Sequence, residues 1–312
     1  METVETFYDD LAAHYHLIFA DWDESIARQG AILGPLLENY TGLSTLRILD
    51  CACGIGTQTL GLAKRGHALV ASDLSRASVA RAQREARRRE ANVRFHVADM
   101  RDLSGISGEN FDVVLAADNA LPHLLLSSDR DRAVQEMASK LRPGGIMAAS
   151  IRDYDHLLET RPTVQPPSFF GDRGSRRIVH QIWDWDVAEY DVHLHIAFES
   201  SAGWTAKHYV SRYRALLREG SRSFISEGRL HRCSVAGAGV NFVLPTDRDR
   251  KEGRLNLKPV QAILSALFAR LRCYGEAPPG ARSRMPRSEG TYARRSGASD
   301  RHPYRIRPRS RP

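Results

Sequence analysis

Apolar positions near the start of the chain recur three and four apart. Phe7, Leu11, Tyr15 and Ile18 fall on one stripe, which predicts helix across 5–40. The period then shortens. The apolar run at 46–51 predicts a strand, which passes through Gly54 and Gly56 into a helix near 57–65, closed by Gly66. Ala68-Leu69-Val70-Ala71-Ser72 reads as a second strand ending on Asp73, and Ser75 caps a helix running to about Glu90. Val93–Val97 and Phe111–Ala116 are further strands. A helix over 129–141 should stop at Arg142-Pro143-Gly144-Gly145, before a fifth strand from Ile146 to Ile151. Strands alternating with helices at this spacing build βαβ units, so the expected fold is α/β with a doubly wound, Rossmann-like parallel sheet.

The rhythm changes after Arg152. Residues 161–175 carry Pro162, Pro166 and Pro167 and read as loop. Three strand-like runs follow, at 177–186, 191–199 and 204–217, and predict an antiparallel cap over one end of the sheet.

Composition adds limits. The chain has 312 residues, 42% of them hydrophobic, enough to bury a sizeable core. Four cysteines in this length make no disulfide framework, and Cys51 and Cys53 lack the partner pair that a zinc site needs. No metal is expected. No apolar run reaches membrane-spanning length, and Met1-Glu2-Thr3-Val4-Glu5 is acidic, unlike a signal peptide, so the expected setting is cytoplasmic. The net charge of +8 suggests nucleic acid until it is divided along the chain. Residues 218–312 hold 21 Lys and Arg against 8 Asp and Glu, a net of +13, whereas residues 1–217 hold 24 against 29, a net of −5. The basic character belongs to the tail, and the part with the motifs is mildly acidic. The arginines at 81, 84, 87, 88 and 89 read as a solvated helix face.

The chemistry gathers at strand ends. Asp50 precedes Cys51-Ala52-Cys53-Gly54-Ile55-Gly56, where two glycines let backbone approach a ligand closely. Asp73 closes the second strand, where a carboxylate can accept from both hydroxyls of a ribose. Asp99-Met100 closes the third, offering a carboxylate for an adenine amino group and an apolar cover for the ring. Gln58 and Thr59 stand where a dinucleotide fingerprint has its third glycine, which disfavours a pyrophosphate ligand. Together with Leu141-Arg142-Pro143-Gly144-Gly145, the set resembles class I S-adenosyl-L-methionine (SAM)-dependent methyltransferases. Phe7-Tyr8-Asp9-Asp10-Leu11-Ala12 with Tyr15 and Asp21-Trp22, Ala117-Asp118-Asn119-Ala120-Leu121-Pro122-His123-Leu124, and Ile151-Arg152-Asp153-Tyr154 resemble the glycine/sarcosine N-methyltransferase group in particular. These matches span about residues 7–217.

The resemblance implies an N-terminal helical cofactor lid over 1–45, a SAM-binding domain over 46–160 and a substrate cap over 161–218. Tyr8, Tyr15 and Arg28 would fold over the cofactor, with Arg28 facing its carboxylate. Asp50 and Gly56 would shape the loop, and Ala52 and Gly54 would pass beneath the methionine part. Asp73 would hold the ribose and Asp99 and Met100 the adenine, while Ala117 and His123 would complete the pocket. Arg152 would clamp the carboxylate of the methyl acceptor, with Asn119 and Tyr154 beside it. Each residue also has a plainer reading: His123 as a cap or packing residue, Tyr8 and Tyr15 as helix-face core, Trp183 and Trp185 as sheet packing. Methyl transfer from an activated donor needs positioning more than acid–base groups, so no catalytic side chain is expected. The implied function is methylation of a small-molecule amine such as glycine or sarcosine. Methylation of another small metabolite, and a SAM-binding protein inactivated by its C-terminus, stand beside it. A nucleic-acid methyltransferase is the weaker fit, since Asp118-Asn119-Ala120-Leu121 lacks the Pro-Pro-aromatic motif of amino-group methylation in bases.

Residues 219–312 do not read like the last strands of that group. Periodicity fades and Arg, Ser, Gly and Pro dominate. Codons able to encode Ser226–Lys251, read one base later, permit A-G-F-T-D-V followed by Y-Q-P-I-V-T-A-R, which resembles those strands. The expectation is a change of reading frame near Arg218 or Glu219, leaving a largely disordered basic tail and a sheet without its last strands. The alternative is a genuine basic tail able to bind nucleic acid.

Overall fold

The computed structural model describes residues 3–108, 110–217, 232–234 and 242–244. The N-terminal helical stripe is broken in two places. Helix α1 (Val4–Leu11) is capped by Thr3, a 3-10 turn covers Tyr15–Ile18, and α2 (Trp22–Thr41) starts at Asp21, whose carboxylate accepts from Glu24 N at 2.9 Å. The expectation of one helical region from 5 to 40 missed this second cap, which restarts the helix in a new direction.

Then come β1 (Arg47–Asp50), α3 (Thr57–Lys64), β2 (Ala68–Asp73), α4 (Arg76–Arg88), β3 (Val93–Val97), β4 (Phe111–Ala116), α5 (Ser127–Ser139) and β5 (Leu141–Ala149). The five strands form one parallel sheet in the order β3-β2-β1-β4-β5. Its two faces separate neighbouring side chains. Ile48, Leu69, Val113 and Ile146 pack on one side with Leu33 and Leu37 of α2 and Leu62 of α3. Leu49, Val70, Val114 and Met147 pack on the other with Met137 of α5, Leu103 and Ile106. Helices α2 and α3 meet at paired glycines, for a Cβ on Gly30 would stand 2.4 Å from the Gly61 carbonyl oxygen. Strand β5 begins earlier than the Pro-Gly-Gly signal predicts. Leu141 already pairs with Phe111, and a register shift between Phe111 and Val113 absorbs Arg142–Gly145 within the strand.

A short helix that the sequence pattern did not predict, α6 (Tyr154–Thr160), leads to an antiparallel sheet of β6 (Val164–Phe170), β7 (Arg177–Asp186), β8 (Glu189–Ser200) and β9 (Gly203–Arg214) in that order. The expectation of loop over 161–175 is corrected by β6. Pro166 and Pro167 fall in the register shift between Gln165 and Ser168 on an edge strand, where missing N–H donors break no ladder. The inner face of this sheet, with Leu194, Ile196 and Tyr209, packs on Phe7 and Leu11 of α1.

Two short antiparallel strands, β10 (Arg232–Ser234) and β11 (Phe242–Leu244), form a separate pair, with β11 beside β5. The rest of 219–312, and with it the expected change of frame, lies outside the described residues.

Candidate functional site

The carboxyl ends of β1 to β4 open into a cavity of about 570 Å³. It lies at the switch point of the sheet, where the chain order reverses between β1 and β4. The loop after β1 forms its floor. Gly54 (φ 51°) and Gly56 (φ 96°) both take left-handed backbone, and Gly56 turns the chain into α3. Asp50 lies under this loop, fully buried. It accepts from Thr59 Oγ1 at 2.6 Å and Ala52 N at 3.3 Å, and burial pushes its pKa up to about 6.

Asp73 lines the cavity and holds the loop in place. Its Oδ2 accepts from Gly54 N at 2.8 Å and its Oδ1 from Ser75 N at 2.9 Å. Burial raises it to about 6 against the pull of these two bonds. Asp99 and Met100 form another part of the wall. Burial alone would raise Asp99, but the guanidinium and backbone N–H of Arg101 outweigh it and hold the carboxyl below its ordinary range. Arg101 also donates to Asp129 Oδ2 at 2.9 Å. Charge in the lining is one-sided: Glu5, Asp73, Asp99, Asp118 and Asp129 stand against Arg101.

The N-terminal segment roofs the cavity. Tyr8 and Tyr15 line it, Tyr8 Oη lies 2.8 Å from His123 Nε2, and Tyr15 Oη donates to Asp118 Oδ2 at 3.5 Å. Asp9 ties the roof to α4 by accepting from Ser75 Oγ and Ala77 N. Burial, then the charge of Arg152, lowers His123 to about 3, so the ring is neutral. It packs against Tyr213, the rings tilted by 39° with centroids 4.1 Å apart.

Behind Tyr213 lies a second cluster. Asn119 Oδ1 accepts from Arg152 N at 3.1 Å and from Tyr154 Oη at 2.9 Å. Arg152 Nη1 donates to Tyr190 Oη at 2.8 Å, and the guanidinium lies over the rings of Trp183 (4.8 Å) and Tyr213 (5.3 Å). Arg152 is half-buried and forms no ion pair with a carboxylate among the described residues.

Of the expected cofactor residues, Tyr8, Tyr15, Ala52, Gly54, Asp73, Asp99, Met100, Ala117 and His123 come together around the cavity. Asp50 and Gly56 shape its floor from below without lining it. Arg28 does not reach it: on α2, its Nη2 donates to Ser25 Oγ at 3.2 Å. Asn119, Arg152 and Tyr154 join one another beside the cavity rather than in its wall. Sequence reasoning missed Arg101, Asp118, Tyr190 and Tyr213. Asp118 stood inside a motif already singled out. The two tyrosines sit at inward positions of β8 and β9, where alternation shows the face but not which part of the molecule it meets.

Residues 48–145 match the family described as "Methyltransferase domain". The chain is 36% identical over 140 residues to the glycine/sarcosine N-methyltransferase of Parasynechococcus marenigrum (strain WH8102), a match covering 45% of this chain and 48% of that protein. It thus spans about half the length of this curated relative. Among solved structures it is similar to Streptomyces venezuelae DesVI, with a TM-score of 0.65, 20% identity, and coverage of 76% of this chain and 98% of that one. It is also similar to SAM-bound CalS10, an amino pentose methyltransferase from Micromonospora echinaspora, with a TM-score of 0.58, 20% identity, and coverage of 71% and 92%.

Proposed function

With residues 48–145 identified as a class I SAM-dependent methyltransferase domain, we propose that this chain methylates a small amine that also carries a carboxylate, of the glycine or sarcosine type. The cavity suits the donor. Its excess of carboxylates favours a cationic ligand, and Asp73 keeps lone pairs for two hydroxyls beside those given to Gly54 and Ser75. Val97, Ala98 and Met100 supply an apolar wall for a base, and the floor at Ala52 and Gly54 brings backbone close to the ligand. Bound SAM supplies a methyl group already activated on a sulfonium sulfur. The protein then has to orient the acceptor, keep water out and hold the acceptor's charge. Tyr8 and Tyr15 close the roof, and neutral His123 fixes Tyr8.

The observation that carries the acceptor assignment is Arg152. A half-buried guanidinium with one tyrosine hydroxyl and two aromatic faces as partners retains N–H donors for an anion. Its fork matches a carboxylate, and the Asn119 and Tyr154 bonds fix the backbone from which it projects.

A labelled-methyl assay over amino acids, simple amines and RNA tests the reading. Label should pass to small amino acids and not to amines lacking the carboxylate. Arg152→Ala should raise KM for the amino acid by about 10- to 100-fold with little change in kcat, the loss expected for a charge-assisted bond. An unchanged KM, or equal labelling of amines without a carboxylate, defeats the assignment.

A further inference from the structure

Asp118 and Asn119 are consecutive residues with positive φ, 55° and 67°, at the end of β4. Two adjacent non-glycine residues in this region are uncommon and persist only where the surroundings enforce them. Here they do. Asp118 N donates to Ser150 Oγ at 2.7 Å and Asn119 N to Ser150 O at 2.9 Å, while Asn119 Oδ1 is held by Arg152 N and Tyr154 Oη. The two side chains have separate destinations. That of Asn119 is buried in the Arg152 cluster, and Asp118 lines the cavity.

The Asp118 carboxylate has a sparse set of partners. Tyr15 Oη stands at the long distance of 3.5 Å, and no cation forms an ion pair with it among the described residues. Arg152 acts on it electrostatically without touching it. A cation held by aromatic rings beside the cavity is thus within electrostatic range of an anion that lines it, with no ion pair between the two. An amino acid has the same two charges, with its carboxylate and its amine one or two bonds from the same carbon.

Resting on the acceptor class argued above, we propose that Asp118 is a catalytic residue of the acceptor site. Its carboxylate accepts a hydrogen bond from the acceptor nitrogen while Arg152 holds the acceptor carboxylate, and it stabilises the positive charge that grows on that nitrogen. The acceptor ammonium first gives up one proton to solvent, and the lone pair so freed forms the new N–C bond. The methyl carbon's bond to sulfur breaks, its electron pair stays on the sulfur, and the nitrogen becomes cationic and keeps its protons. One positive charge moves from the donor to the acceptor. A fixed carboxylate on the acceptor side interacts more favourably with the product-like state than with the starting state, which is the condition for acceleration rather than uniform binding. The Asp118 side chain is exposed to the cavity, so an acceptor seated against it would exclude water and strengthen the attraction.

The test combines two ligands with two variants. Glycine and acetate share the carboxylate and differ by the amine. Their affinities for the chain saturated with S-adenosylhomocysteine are measured by NMR titration for wild type, Asp118→Asn and Arg152→Lys. Asparagine tolerates left-handed backbone, so Asp118→Asn keeps the turn. A thermal melt of each variant checks the fold. Wild type should favour glycine over acetate at least about tenfold, the scale of a hydrogen bond to a charged group. Asp118→Asn should cut that preference below about threefold and lower kcat for glycine roughly 100-fold, the order of an oxyanion-hole donor lost. Arg152→Lys should weaken both ligands alike. Affinity for S-adenosylhomocysteine itself should stay within twofold in Asp118→Asn. A retained glycine preference overturns the inference. So does a tenfold loss of S-adenosylhomocysteine affinity in that variant, which would assign Asp118 to the donor's amine. A wild-type chain that binds neither glycine nor acetate overturns the acceptor class, and this inference with it.

Discussion

Asp73 carries two backbone N–H groups and still faces the cavity, so its proton tracks its ligand. Its pKa without ligand is near 6, and the hydroxyls of a ribose bound there as proposed would favour the ionised form and pull the value down. Donor affinity should therefore be flat above pH 7 and fall as the pH drops below about 6, by up to tenfold per unit. Calorimetry with S-adenosylhomocysteine in buffers of different ionisation heat should show proton release near pH 6. Asp73→Asn should bind more weakly and release no proton at this position. Without ligand the sign reverses. Asp50 and Asp73 both have raised pKa values, so their contribution to folding is largest below about pH 4 and is lost as pH rises through 6. The two strand-end carboxylates Asp73 and Asp99 were legible in the sequence because a parallel strand announces its own carboxyl end. The direction of Arg28 was not, since a helix face depends on where the helix is packed. Asp118 shows a further limit: its backbone state is enforced by Ser150, a residue 32 positions away.

The antiparallel sheet is ordered in rows across its outer face. His180, His195 and His208 lie side by side on β7, β8 and β9, with ring centroids 4.7 and 4.4 Å apart and nearly parallel planes. His193 extends the stack toward Asp184, its Nδ1 lying 3.0 Å from His208 Nε2 and its Nε2 3.1 Å from the carboxylate. Arg212 then joins Asp186, Glu189 and Asp191. Burial and the neighbouring imidazoles lower the pKa of His195. A lowered histidine contributes stability that is present above its unfolded pKa and lost as pH falls through the folded value. The His195 contribution should therefore fall between pH 7 and 5, opposite in sign to that of Asp50 and Asp73, and His195→Thr should make thermal melts less sensitive to acid in that range than wild type. An unchanged slope in the variant would mean that His195 does not contribute to it. The strands β7, β8 and β9 were legible because alternation survives along their whole length. Strand β6 and helix α6 were not, because prolines mimic a loop in one, and seven residues are too few to show a helical period in the other.

At the scale of the whole molecule, the first twenty residues fasten the two sheets together. Phe7 and Leu11 enter the core of the antiparallel sheet, and Asp9 bonds to the start of α4. Arg81 of α4 donates to the carbonyls of Ala12 and Ala13, taking up oxygens that the end of α1 leaves unpaired. Arg177 of β7 does the same for Leu17, Phe19 and Ala20. Removing residues 1–20 should leave the parallel sheet folded, lower the melting temperature of the cap, and weaken S-adenosylhomocysteine at least about tenfold by taking away the roof. Far-UV circular dichroism and calorimetry on the truncated chain would check this. Retained affinity would show that the roof contributes nothing to binding.

The Tyr8–His123 bond has a consequence in time. Tyr8 stands in the cavity wall and breaking its bond to His123 frees the ring, so the residence of a ligand beneath α1 should depend on that bond. Tyr8→Phe, which keeps the ring and deletes the bond, should shorten the residence of S-adenosylhomocysteine in stopped-flow release more than it weakens equilibrium binding. Turnover limited by product release would then become faster in the variant, with the roof acting as the clock of the cycle.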